Sequence, residues 1–151
     1  MKKIITHILI FFLLYNCGFA PIYSKNDNQN FDIKMQSIIG DRLINNLIVS
    51  ELNRNRNFQS EKKIFIDINT NYEKLIYSKD ATGATASYQL NVISEIDIKY
   101  NNITQKIITN EKFIMDKNNN SFEEKNYEKT IKRSFASSIT QKILLKLNSI
   151  K

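Results

Sequence analysis

Histidine is nearly missing from this sequence: His7 is the only one among 151 residues, and it lies in an N-terminal segment that reads as a removable leader. The rest of the chain therefore has no imidazole for acid–base work or metal ligation near neutral pH. Cysteine is as scarce, since Cys17 stands alone and no intrachain disulfide can form. One proline and three glycines leave few breakpoints and few residues suited to positive φ. Most of the chain should thus lie in regular elements. Serine and threonine are plentiful, but no histidine is there to activate them as nucleophiles. Glu123 and Glu124 sit in a polar helix start, where acids favour the helix dipole rather than marking a catalytic pair. A phosphate loop and a dinucleotide fingerprint are also absent from the sequence. The expectation is a binding protein, not an enzyme, with no metal and no dissociable cofactor.

What is present describes a globular chain. Hydrophobic residues make up 42% and charged residues 25%, ordinary usage for a protein with one core. The net charge is +7; Lys2 and Lys3 fall in the leader, which holds no acid, so the remainder carries about +5. Such an excess fits phosphate-rich partners such as lipid A, anionic headgroups or nucleic acid, and it equally fits solubility alone.

The leader is the sharpest local signal. Lys2 and Lys3 precede an apolar run over 4–15 that is interrupted only by Thr6 and His7. About a dozen residues suit a secretory leader and fall short of the roughly 20 needed to span a bilayer. Cys17 follows at once, behind Leu13-Leu14-Tyr15-Asn16. This resembles the bacterial lipoprotein signal, in which the cysteine becomes the acylated first residue; Leu14 fits that pattern, and Tyr15 and Asn16 depart from it. Gly18, rather than Asp, favours the outer membrane by analogy with enteric bacteria. The expected organisation is a signal peptide over 1–16, a lipidated tether over 17–30 containing Pro21, and one domain over 31–151.

Periodicity sets out that domain. Phe31, Ile33 and Met35 alternate with Asp32, Lys34 and Gln36, which predicts a strand ended by Gly40-Asp41. Asp41 can cap a helix running to about Asn57, with Leu43, Ile44, Leu47, Ile48 and Leu52 on one face and Arg42, Asn45, Asn46, Glu51 and Arg54 on the other. Ile64, Ile66, Ile68, Thr70 and Tyr72 predict a second strand, followed by a loop over 78–83. Tyr88, Leu90, Val92, Ile96, Ile98 and Tyr100 share one face of a third strand; Gln89, Asn91, Glu95, Asp97 and Lys99 share the other. Asn101-Asn102 suits a tight turn into a fourth strand over 103–115, whose inward face the adjacent Ile107 and Ile108 leave open. A polar break over 116–120 leads to a closing helix with Tyr127, Ile131, Phe135, Ile139, Ile143 and Leu147 at every fourth position. The order β-α-β-β-β-α predicts an α+β two-layer sandwich, a four-stranded mixed sheet with two helices packed on one face. The first strand, helix and second strand make a crossover, so parallel pairing is expected there.

Several segments carry a more specific likeness. Cys17-Gly18-Phe19-Ala20-Pro21-Ile22-Tyr23 resembles the opening common among α-proteobacterial members of the LPS-assembly lipoprotein LptE family. Asp41-Arg42-Leu43-Ile44-Asn45-Asn46-Leu47 is similar to their first helix, Thr85-Ala86-Ser87-Tyr88-Gln89-Leu90 to their third strand, and Ala136-Ser137-Ser138-Ile139 to their last helix. The resemblance implies a periplasm-facing outer-membrane protein held by lipid on Cys17. It implies two partners, the LptD β-barrel, which such a protein plugs and helps assemble, and lipopolysaccharide, and no role in binding nucleic acid. Phosphorylated lipid A wants cations near an apolar patch. Lys62, Lys63, Lys74 and Lys79, around the second strand and its following loop, are the candidates; each also reads as a solvated lysine that deters strand-edge pairing. The alternative is an unrelated envelope adaptor on the same sandwich, because fold does not fix function.

Overall fold

The computed structural model describes residues 31–150, so the leader, the tether and Cys17 lie outside the described residues. The elements are β1 (Asp32–Gly40), α1 (Arg42–Arg54), β2 (Lys63–Lys79), β3 (Thr85–Tyr100), β4 (Ile103–Asp116) and α2 (Ser121–Asn148). They form one mixed sheet in the order β1-β2-β3-β4. β1 and β2 pair in parallel across the α1 crossover, and the other two pairings are antiparallel. Both helices pack on one face of the sheet, giving the two-layer sandwich that the patterning predicts.

The core is built from the two predicted periodicities. Ile64, Ile66 and Ile68 on β2 and Leu90, Val92, Ile96 and Ile98 on β3 bury their side chains beneath Ile44, Ile48 and Leu52 of α1 and Ile131, Phe135, Ile139 and Ile143 of α2. Burying a side chain of this size contributes about 1.5–3 kcal/mol. Asp41 caps α1 as expected, its carboxylate accepting from the Ile44 N–H at 3.0 Å. Asn120 caps α2, its side-chain oxygen accepting from the N–H of Phe122 at 3.0 Å. Asn101 and Asn102 take φ of 46° and 63°, the two left-handed residues that a hairpin turn between twisted strands requires.

The structure departs from the sequence patterning in three places here and settles a fourth that the patterning left open. α1 stops at Arg54 rather than near Asn57, where Asn55 closes its last turn. β2 continues through Ser78 and Lys79, placed in a loop by their polarity, because β3 supplies partners as far as Lys79↔Thr85 through two register shifts. On β4, Ile107 packs against the core while Ile108 faces away from the helices. Asn45, assigned to the polar face of α1, is buried instead, since it satisfies both ends of its amide inside the fold.

Candidate functional site

β2 is much longer than its neighbour β1. β1 reaches only as far as Gly40↔Thr70, so the stretch from Asn71 to Lys79 is paired with β3 on one side and, among the described residues, with no strand on the other. Its apolar run is uncovered: Leu75 is 49% exposed, Ile76 57% and Tyr77 56%. The same end of the molecule exposes Ile114 on β4 and Phe122 and Tyr127 on α2. Tyr127 therefore leaves the buried row predicted for it and meets Phe113 edge-on at 6.2 Å.

The four candidate lysines do not form one cluster. Lys62 and Lys63 lie at the start of β2, and Lys74 and Lys79 toward its end. At roughly 3.3 Å per residue, Lys63 and Lys79 are about 50 Å apart along the strand. The Lys62 ammonium sits 5.8 Å from the centre of the Phe31 ring. Lys74 is committed inside the fold: its ammonium donates to Glu124 at 2.8 Å and to Glu128 at 3.0 Å, and it lies 4.1 Å from the centre of the Tyr88 ring. Burial works against the Lys74 charge, but the two carboxylates outweigh it and hold its pKa above the ordinary range. Lys74 in turn holds the Glu124 carboxyl below its ordinary value.

A second basic feature adjoins this network. Leu43 in the first turn of α1 and Lys125, Asn126, Glu128, Lys129 and Lys132 on α2 line an open groove of about 420 Å³. Lys125, Lys129 and Lys132 share a helix flank because they are four and three residues apart. Lys132 donates to Asp41 at 2.7 Å and lies 3.7 Å from the centre of the Tyr72 ring. The Tyr72 hydroxyl donates to Glu128 at 2.8 Å. Burial, then that carboxylate, pushes the Tyr72 phenol well above its usual range. Burial raises the Asp41 carboxyl, yet the hydrogen bonds from Lys132 and the Ile44 N–H prevail and keep its pKa low. Sequence reading missed the groove. The spacing of the three lysines was legible, but which flank of α2 they mark depends on where α1 begins.

The sheet face opposite the helices carries the predicted polar set. Gln89, Asn91, Glu95, Asp97 and Lys99 all lie there, with Ile93 among them. Asp67 and Asp97 stand directly opposite each other across β2 and β3. Lys99 relieves this like-charge pair by bridging to Asp67 at 2.6 Å. On the same face Lys106 bridges to Glu95 at 3.1 Å. Phe65, Ile108 and Ile114 interrupt these polar rows, so the face is mixed rather than uniformly hydrophilic. Among the described residues no group of His, Cys, Asp and Glu is arranged to hold a metal ion. No helix among them is long and apolar enough to cross a membrane.

The sandwich is similar to two solved lipoprotein structures. Rare lipoprotein B from Shewanella oneidensis aligns with a TM-score of 0.58 and 13% identity, over 77% of this chain and 95% of its own. A putative lipoprotein from Caulobacter crescentus aligns with a TM-score of 0.51 and 13% identity, over 79% of this chain and 88% of its own. At this identity the likeness establishes a shared fold. No family model matches the sequence, and no curated protein matches it.

Proposed function

We propose that this chain is an LptE-type lipoprotein, anchored by lipid on Cys17 in the outer membrane and facing the periplasm. It acts as a binding and plug subunit, not a catalyst. Its partner is the LptD β-barrel, whose lumen it fills and whose assembly it supports, and it binds lipopolysaccharide on the way to the cell surface. The observation that carries this reading is the succession of a Cys17–Tyr23 opening of LptE type and a sandwich of the fold seen in rare lipoprotein B. The charged rows on the uncovered sheet face support it, because the interior of a membrane barrel is polar and a plug must offer it hydrogen-bonding groups.

The test is purification of the full chain from its native envelope in mild detergent. Recovery as a stable complex with a large outer-membrane barrel is expected, together with loss of surface lipopolysaccharide when the chain is depleted. Recovery as a monomer, with every barrel assembling normally in its absence, would overturn the proposal.

A further inference from the structure

The geometry points to a docking site that the barrel reading does not use: the edge of β2 from Asn71 to Ile76, unpaired among the described residues, takes up an extended segment of another polypeptide that alternates acidic and apolar side chains. The backbone supplies the template. Asp41 donates its N–H to the Thr70 carbonyl at 3.1 Å, so the main-chain groups of Thr70 face the β1 side. In an antiparallel strand, alternate residues turn their N–H and C=O to the same side, which leaves Tyr72, Lys74 and Ile76 presenting theirs outward. β3 pairs with this whole stretch and holds it extended. An incoming strand therefore meets an already ordered edge, the arrangement used in recognition by strand addition.

The flanking side chains set the chemistry of the occupant. α1 starts only at Arg42, so beyond Thr70 the helix side of the edge borders the groove between Leu43 and α2. Glu128 and Lys132 tie that groove to the edge through their contacts with Tyr72 and Lys74. Within the groove, Lys132 is neutralised by Asp41 and Glu128 by Lys74. Lys125 and Lys129 have no ion-pair partner among the described residues and leave the groove basic. On the other side of the edge the exposed Leu75 and Tyr77 follow Asn71 and Glu73, which hydrogen-bond to each other at 3.2 Å. Successive side chains of a bound strand point to opposite faces. One set falls over Lys125 and Lys129 and is acidic; the other lies beside Leu75 and Tyr77 and is apolar. A second copy of this chain fits poorly. A two-fold antiparallel pairing of β2 with itself would bring the copy's Tyr72, Lys74 and Ile76, none of them acidic, to the basic side.

The probe is a fluorescein-labelled heptapeptide of alternating Glu and Val, beside a counterpart with Lys in place of Glu. Each is titrated by fluorescence anisotropy onto the full chain in detergent micelles. The Glu peptide is expected to bind at least tenfold more tightly than the Lys peptide. The double variant Lys125→Glu/Lys129→Glu, both on the exposed surface of α2, is expected to reverse that order. Hydrogen exchange should slow at the amides of Tyr72, Lys74 and Ile76 when the Glu peptide is bound. Equal affinity for the two peptides, a preference untouched by the charge reversal, or binding without protection of those amides would each overturn the assignment. Dimerisation of the chain through this edge, with the Glu peptide unable to compete, would overturn it in favour of a second copy.

Discussion

The Thr70 hydroxyl donates to the side-chain carbonyl of Asn45 inside the core, where the two residues are 1% and 2% exposed. The Asn45 amide donates in turn to the Ile39 carbonyl at 2.9 Å. One side chain on α1 thereby joins the end of β1 to the middle of β2. Thr70→Val keeps the volume and removes the donor, leaving the Asn45 oxygen buried and unpaired. The expected loss is about 1–3 kcal/mol in urea unfolding. A variant as stable as the parent would show that this hydrogen bond does not fasten the helix.

Gly40 ends β1 with a φ of 103°, which L side chains rarely adopt. A Cβ there would also run into the Thr70 carbonyl, the acceptor for the Asp41 N–H. Gly40→Ala therefore meets both backbone strain and a clash with main chain that cannot swing away. An expected loss of more than about 1 kcal/mol follows from the backbone conformation alone. Thermal unfolding checks it, and a melting temperature unchanged from the parent would contradict the geometry.

Four carboxyls among the described residues are held below their ordinary pKa: Asp80, chiefly by the hydrogen bond from the Thr82 hydroxyl, and three that tie elements together. The Arg56 hydrogen bond is the largest influence on Asp32, assisted by Lys34 and opposed by burial. Burial opposes ionisation of Asp41, and the Lys132 and Ile44 hydrogen bonds overcome it. Lys74 is the main cause at Glu124. A depressed folded-state pKa means the unfolded chain binds protons first as the solution is acidified. The stabilisation is complete above the unfolded-state values of about 4 and is lost as pH falls through the lower folded-state values. Urea midpoints should accordingly drop as pH falls below about 4. The double variant Asp32→Asn/Asp41→Asn should show a shallower drop, and an identical slope in variant and parent would remove these groups as the cause.

Strand and helix positions were legible because each element buries one face, and burial imprints its period on the sequence. The alternation from Ile64 to Thr70 and the four-residue row from Ile131 to Leu147 both mark the core side correctly. Asn45 was not legible. Its polarity argues for solvent, and its partners on β1 and β2 come together only in the folded sheet. The exposed run Leu75-Ile76-Tyr77 was hidden for a related reason: it is apolar on both faces, so it carries no period to read. The lysines were misjudged for another reason: β2 runs on past the alternating stretch from Ile64 to Tyr72, which sets Lys63 and Lys79 about 50 Å apart.

In the proposed reading, anchoring rests on Cys17. Cys17→Ser removes the acyl acceptor while leaving the apolar leader intact. Loss of metabolic palmitate labelling is expected, with the variant either released into the soluble envelope fraction or accumulating uncleaved. Equal labelling of variant and parent would refute lipidation at this position.

Under the proposed function, the separation of the lysines along β2 limits how lipopolysaccharide would be bound. A single phosphorylated headgroup cannot reach both ends of a strand about 50 Å long. Lipid A also needs an apolar surface beside the cation, and Leu75, Ile76 and Tyr77 provide it close to Lys79, so that lipid A and a strand docked on that edge would exclude one another. At the other end Phe31 is buried, and the exposed apolar groups near Lys62 and Lys63 are single rings, Phe58 and Phe65, rather than a run of three consecutive side chains. Lys74 is held by Glu124 and Glu128, so substituting it would disturb the seating of α2 as well as any lipid contact. The discriminating variants are therefore Lys79→Glu at one end and Lys62→Glu/Lys63→Glu at the other. Lys79→Glu is expected to weaken lipopolysaccharide binding about tenfold, the size of one charge-assisted hydrogen bond, while the double variant stays within about twofold of the parent. Binding to immobilised lipopolysaccharide at fixed ionic strength measures both. Equal losses at the two ends would mean that net charge, not an apolar site beside Lys79, governs the interaction.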